Sequence, residues 1–254
     1  MKELIFKTKA ELFAADLTGC TTLVCSNIGE LDSLPVLPQG LISLYCKHTD
    51  VNWGKVDLPE TLEELFCCGR PPRIKGETEN FKSLPNGLKK FYCCRAGFTA
   101  LPTLPSTLEE LMAENNFIAV LPKLPTALRK LYVRQNSISK LPTLPSTLEK
   151  MYVSENLLSN LPELMHTKLI EIYAQDNKLK TVPELPHTVE ELYVCDNNIS
   201  ELPYMPQSLR ELYCSNNKLR ELPELPKTME ELLATNNRGI EDKKREVKYF
   251  LKVA

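Results

Sequence analysis

The sequence predicts a solenoid with a curved parallel β-sheet on its concave face, an extended polyproline-like convex side and a short C-terminal capping helix. Three observations carry that prediction. From about Leu88 to Asn237 the pattern Leu-x-x-Leu-Tyr-x-x-x-Asn-x-Leu-x-x-Leu-Pro-x-Leu-Pro-x-x returns every 20 residues with a single one-residue slip. Asparagine recurs at the ninth position of these units, and proline recurs on the segment that returns to the next. A unit this short cannot bury its own apolar face, so it must stack on copies of itself.

The elements follow in chain order. Residues 1–19, with Leu4, Phe6, Leu12, Phe13 and Leu17, are expected to form an N-terminal cap from a short strand or helix. Residues 20–239 hold about eleven repeats, opening near Cys20, Leu41, Leu62, Leu88, Leu108, Leu128, Leu148, Leu169, Val189, Leu209 and Met229, the first of them degenerate. Within a repeat the first, fourth and sixth positions (Leu128, Leu131 and Val133, for example) face inward and alternate with outward residues, the period of two that marks a strand. Neighbouring repeats should pair these strands in parallel and in register.

The ninth-position residues Asn116, Asn136, Asn156, Asn177, Asn197, Asn217 and Asn237 stand where the chain turns inward after the strand. A side-chain amide there satisfies backbone groups that would each cost about 1–3 kcal/mol if buried unpaired. Thr49, Arg70 and Ala96 take that position earlier, so the N-terminal third should be less regular. Of the 19 prolines, all but Pro71 and Pro72 fall on Leu-Pro or related steps of the return segment, where the ring fixes an extended backbone and removes amide donors. The convex side should therefore carry no helix or continuous sheet.

Two irregularities break the register. Leu62 and Leu88 are 26 residues apart, which leaves an extra loop at residues 70–80, basic then acidic, either a contact site or a tolerated drift of the repeat. The unit around Met165 to Lys168 is longer by one residue. Residues 240–254 read as the C-terminal capping helix, with Glu241 and Asp242 in its first turn and Ile240, Val247, Phe250 and Leu251 on one face.

Repeats running through nearly all 254 residues leave no room for a second domain. A formal net charge of -2 exerts no global pull toward nucleic acid or an anionic membrane. The opening Met1 to Lys9 lacks the apolar core of a secretory signal, and no run approaches 18 apolar residues, so no membrane insertion is expected. Among the nine cysteines, Cys25, Cys46, Cys67, Cys93 and Cys214 occupy the sixth, inward position, where other repeats carry Val or Ala. An odd count serving as small hydrophobes points to a reducing compartment, the cytoplasm.

Adjacent residues of a strand point to opposite faces, so Cys67-Cys68 and Cys93-Cys94 cannot converge on a metal with Cys46 and His48. Cys68 and Cys94 both face outward, placed for a reversible disulfide. His48, His166 and His187 are spread over separate units, no nucleophile–base constellation assembles, and nine scattered glycines hold no phosphate loop. No catalytic residue, metal or cofactor is expected, and nucleic acid is excluded as a partner.

The outward positions, third, fifth, seventh and eighth, form the candidate binding face. The fifth is aromatic with great regularity: Tyr45, Phe66, Tyr92, Tyr132, Tyr152, Tyr173, Tyr193 and Tyr213, with Met112 and Leu233 in the gaps. Such a stripe stabilises a sheet by cross-strand contact and offers a partner large amphipathic rings. Charge varies more: Lys47, His48, Lys90, Arg95, Lys130, Arg134 and Lys150 make the face basic toward the middle, interrupted by Glu64, Glu110, Glu114 and Glu155. Glu171, Asp176, Glu191, Asp196, Glu211 and Glu231 make it acidic toward the C-terminal end. Glutamates in register repel unless neutralised, which Arg210 is placed to do in part, and the ladder suits a protein partner with a basic segment.

The stretch Leu202-Pro-Tyr-Met-Pro-Gln-Ser-Leu-Arg-Glu-Leu-Tyr-Cys-Ser-Asn-Asn-Lys-Leu219 resembles the short LPX-type leucine-rich repeats of secreted bacterial effectors of the YopM and IpaH groups. Similar repeats occur in intracellular bacteria and large DNA viruses. Some members carry, after the repeats, a ubiquitin-ligase domain with a Cys-x-Asp nucleophile. Cys195-Asp196 is adjacent rather than spaced by one and lies within a repeat, so the resemblance implies a ligase-free, non-catalytic scaffold or adaptor. The expectation is a protein–protein interaction module, a pathogen effector acting in host cytosol after delivery, with a structural component of a large viral particle as the alternative.

Overall fold

In the computed structural model of the chain, residues 2–29, 31, 33–49, 51–69, 81–237, 240 and 249–250 are described. The loop expected at residues 70–80 lies outside them, as do 238–239, 241–248 and 251–254 of the C-terminal segment. The chain divides into two compact units, Met1–Leu128 and Arg129–Ala254.

The first unit contains β1 (Glu3–Ile5), α1 (Lys9–Ala14), β2 (Thr22–Val24), β3 (Ser43–Tyr45), a 3-10 turn (Trp53–Lys55), β4 (Glu64–Phe66), β5 (Lys90–Tyr92) and β6 (Glu110–Met112). Each strand pairs in parallel with the next. At its start, Thr8 caps α1 by accepting the Glu11 amide at 3.2 Å, the Glu11 carboxylate accepts the Lys7 amide at 3.0 Å, and Leu12 is buried. The irregular repeats here substitute aromatics for aliphatic core residues. Trp53 stacks on Phe81 with centroids 5.1 Å apart, and Phe81 in turn meets Phe91 and Phe98 at 5.3 and 5.5 Å.

The second unit contains β7 (Lys130–Tyr132), β8 (Lys150–Tyr152), β9 (Glu171–Tyr173), β10 (Glu191–Tyr193), β11 (Glu211–Tyr213) and β12 (Glu231–Leu233), parallel in sequence order. A two-residue strand, β13 (Tyr249–Phe250), pairs antiparallel with β12. Those two residues depart from the helix expected over 240–254. The free edge of β12 presents unpaired amides and carbonyls, and a strand satisfies them where a helix does not.

Both units are built from one local code. First-, fourth- and sixth-position residues such as Leu128, Leu131 and Val133 are fully buried, and Cys25, Cys46, Cys67 and Cys93 form a buried column through β2 to β5. The strands are only three residues long, shorter than the outward positions suggested. Chain direction changes at the eighth position, where Asn27, His48, Arg95, Asn115, Gln135, Glu155, Asp176, Asp196, Asn216 and Asn236 all have φ between 54° and 62°. This left-handed backbone disfavours β-branched side chains, and none occurs there. On the return segment the second proline's carbonyl accepts the amide of the next first-position residue, as from Val189 to Pro186 at 3.2 Å and from Leu209 to Pro206 at 3.0 Å.

The ninth-position asparagines close the turn. Asn197 donates from Nδ2 to the carbonyls of Ala174 at 2.9 Å, Cys195 at 3.0 Å and Val194 at 3.2 Å, and its Oδ1 accepts the Leu179 amide at 2.9 Å. Asn156, Asn177, Asn217 and Asn237 repeat the arrangement. A second ladder, unforeseen in the sequence, runs through the hydroxyls that precede the first leucine: Thr61, Thr107 and Thr228 each donate to two carbonyls of the repeat before, and Thr188 and Ser208 to one. Replacing Asn197 by Ala leaves a buried amide and three carbonyls without this partner and should cost about 3 kcal/mol in urea denaturation, whereas Asn160→Ala, exposed, should stay within about 0.5 kcal/mol.

Candidate binding surface

The reach of the side-chain ladder follows from strand geometry: with the fourth position of β7 to β11 buried at 0% exposure, the third and fifth must stand on the opposite face, at about 4.8 Å per strand over roughly 19 Å. All the candidate partner-binding residues lie in the second unit. Tyr132, Tyr152, Tyr173, Tyr193 and Tyr213 come from the fifth position and are half-buried by one another. The rings of Tyr152, Tyr173, Tyr193 and Tyr213 stack with successive centroids 4.2, 4.3 and 4.3 Å apart and planes within 8°, and Tyr132 meets Tyr152 edge-on at 4.7 Å.

Lys130, Lys150, Glu171, Glu191, Glu211 and Glu231 come from the third position, in register across β7 to β12. The tyrosine stripe and the glutamate ladder are a single network. Each hydroxyl donates diagonally to the glutamate of the following strand: Tyr152 to Glu171, Tyr173 to Glu191, Tyr193 to Glu211 and Tyr213 to Glu231. The Lys150 ammonium lies 2.5 Å from the other oxygen of Glu171, and this bond raises the lysine pKa. Glu191 and Glu211 make no ion pair among the described residues, although the Lys150 charge is also felt at Glu191. Arg210, expected to relieve the ladder, is held elsewhere: from the second position it reaches Glu230 at 2.7 Å and Glu190 at 3.7 Å, because second and third positions point to different sides of the strand.

Beyond the strands, Arg134 pairs with Glu155, whose second oxygen accepts from Gln135 at 2.5 Å. Burial works against the charged Glu155, yet these bonds from Gln135 and Arg134 hold its pKa below the usual range. Asp176 and Asp196 are exposed at the left-handed turn position. Burial, then the charges of Asp196 and Glu155, raise the Asp176 pKa. Asp196 accepts from Asn216 at 2.7 Å, and Asn216 from Asn236 at 2.6 Å.

The first unit repeats the diagonal link: Tyr45 donates to Glu64 at 3.0 Å and Tyr92 to Glu110 at 2.5 Å. Lys90 is paired with Glu64 at 2.8 Å, while Lys47, His48 and Arg95 are exposed. Among the described residues no group of three His, Cys, Asp or Glu side chains is placed to hold a metal ion. No helix among them is long and apolar enough to cross a membrane.

The chain matches the leucine-rich-repeat family model over residues 208–229. Among solved structures it is similar to YopM, a leucine-rich effector protein from Yersinia pestis, at 34% identity over 85% of this chain and 72% of that one, with a TM-score of 0.68. YopM from Yersinia enterocolitica WA-314 is 28% identical over 84% of this chain, with a TM-score of 0.55, and this chain spans 55% of its length. A leucine-rich-repeat protein of Leptospira interrogans, 19% identical with a TM-score of 0.63 over 93% of this chain and 71% of that one, shares the fold. No curated protein sequence matches.

The tyrosine network has a pH signature. For Tyr152, Tyr173 and Tyr193, burial and then the bond to a glutamate raise the pKa far above the ordinary value near 10; for Tyr213 the bond to Glu231, then burial, pushes it up to about 12. A raised folded pKa stabilises the fold fully below the unfolded value and ceases to do so as pH climbs through the folded one. Stability should therefore fall from about pH 10 to 12, with tyrosinate absorbance lagging behind that of the urea-unfolded chain. A chain with phenylalanine at these four positions should lose most of that dependence.

Proposed function

The chain belongs to the leucine-rich-repeat family of bacterial effector type that includes YopM, and on that premise we propose a non-catalytic scaffold or adaptor that binds a protein through the tyrosine–glutamate face of β8 to β12. Leucine-rich-repeat solenoids are typically interaction scaffolds. In this proposal the face is the concave one, the repeats are of the LPX type, and the protein acts as an effector in the cytosol of a host cell. Nine free thiols support a reducing site of action.

The observation that carries the proposal is the unneutralised part of the ladder. Glu191 and Glu211 each accept a tyrosine hydroxyl on one oxygen and make no ion pair among the described residues. Carboxylates one strand apart repel by about 1 kcal/mol or more, depending on how much water screens them. A basic segment laid along the strands would relieve that repulsion while its aliphatic stems pack on the rings. The rings are already locked by stacking and hydrogen bonds, so little side-chain freedom is lost on binding.

Glutamine at Glu191 and Glu211 keeps an acceptor for the Tyr173 and Tyr193 hydroxyls and removes only the charge. In affinity pull-downs at two salt concentrations, the E191Q/E211Q chain should lose the salt-sensitive partners of the unaltered chain while its Tm stays equal or rises. The same neighbours persisting in both chains at both salts would instead favour a structural component of a larger assembly.

A further inference from the structure

We propose that Cys68 and Cys94 form a thiol–disulfide exchange site, in which Cys68 attacks small-molecule disulfides such as glutathione disulfide and Cys94 resolves the adduct into an intrachain disulfide. The two residues follow β4 and β5 at the same outward position, two residues beyond the registered pair Phe66 and Tyr92. Adjacent strands lie about 4.8 Å apart, inside the Cα separation that a disulfide spans. The pairing is held on both sides: the Gly69 amide donates to the Cys94 carbonyl at 2.9 Å, and the His48 amide to the Cys68 carbonyl at 2.7 Å. At Gly69 a Cβ would stand 2.8 Å from the Arg95 carbonyl oxygen, so glycine permits this close approach.

The surroundings make Cys68 the nucleophile. Its sulfur accepts the Cys94 amide at 3.3 Å, and Lys47, placed over the Phe66 ring with Nζ 5.2 Å from its centroid, stands on the opposite side. Among the described residues the other charged neighbours are exposed Arg95 and His48, and Glu114 one strand beyond Cys94. A hydrogen bond from the Cys94 thiol, working against burial and aided by the Cys94 amide, Lys47 and Arg95, lowers the Cys68 pKa to about 7, while the same thiol contact raises that of Cys94. Cys195 occupies the equivalent position in a later repeat with Asp196 and Asp176 beside it, and burial and those charges raise its pKa. Cys46, Cys67 and Cys93 are buried in the core, which keeps their thiols protonated and out of reach.

The exchange balances in two steps. The Cys68 thiolate attacks one sulfur of glutathione disulfide; a Cys68–glutathione bond forms, the original bond breaks, and a glutathione thiolate leaves and is protonated by water. Capping removes the negative charge that held Cys94 protonated. Cys94 then attacks the Cys68 sulfur, its proton passing to the second glutathione as that leaves. Two protein thiols are oxidised and one glutathione disulfide is reduced to two glutathiones.

The test treats the full chain with glutathione disulfide and reads intact mass and peptide maps. Serine is native at this repeat position in Ser26, Ser154 and Ser215, so Cys68→Ser and Cys94→Ser should fold. The unaltered chain should end as the Cys68–Cys94 disulfide with its other cysteines reduced. Cys94→Ser should stop at a glutathione adduct on Cys68, and Cys68→Ser should react about tenfold more slowly or less. Iodoacetamide should alkylate Cys68 with a midpoint near pH 7, moved upward in a Lys47→Gln chain, and well below that of Cys195. Alkylation of Cys68 no faster than of Cys195, or a stable adduct in the unaltered chain, would overturn the proposal.

Discussion

The buried asparagine amide is the interaction on which the rest of the structure depends. A three-residue strand followed by a left-handed turn leaves carbonyls and amides facing the core with no backbone partner. One side chain closes that gap by donating to its own strand and the preceding one and by accepting an amide from the preceding repeat, as Asn197 does with Ala174, Val194, Cys195 and Leu179. Because each amide bonds to two repeats, it sets their register. Register in turn places every third- and fifth-position side chain beside its copy one strand away.

The surface chemistry follows from that placement. Two rows running side by side along the second unit are tied diagonally, tyrosine to the next glutamate, so a face that looks like an acidic ladder beside an aromatic stripe is one interlocked layer. The tyrosines serve the fold by stacking and serve recognition by holding the carboxylates still. Lys150 terminates the layer at one end by neutralising Glu171, which leaves the glutamates of β10 and β11 as its unbalanced portion.

Where the repeat is irregular, the structure compensates locally. Thr49 stands in place of an asparagine and donates to the Cys46 carbonyl at 2.8 Å, covering part of the same need with a shorter group. The aromatic cluster of Trp53, Phe81, Phe91 and Phe98 fills space that leucines occupy in the regular repeats. The two outward cysteines belong to this same stretch, beside lysine and arginine, whereas their counterpart Cys195 lies among carboxylates. One position of one repeat thus takes opposite electrostatic character in different repeats.

The sequence by itself determined the parallel strands, their register, the inward triads and the asparagine ladder, because each is a periodic signal repeated many times over. It also placed every tyrosine and glutamate of the candidate surface on the outward face, since alternation along a strand leaves no other choice. What only the tertiary structure decided are the contacts between neighbouring repeats that are diagonal rather than in register. The tyrosine hydroxyls found the glutamates one strand on, and Arg210 was drawn to Glu190 and Glu230 instead of the ladder. The eighth position proved to be a left-handed turn rather than an extension of the strand, and Tyr249–Phe250 took the open edge of β12 as a strand. A linear pattern records which face a residue occupies; which neighbour satisfies it depends on distances across the sheet that exist only once the repeats are stacked.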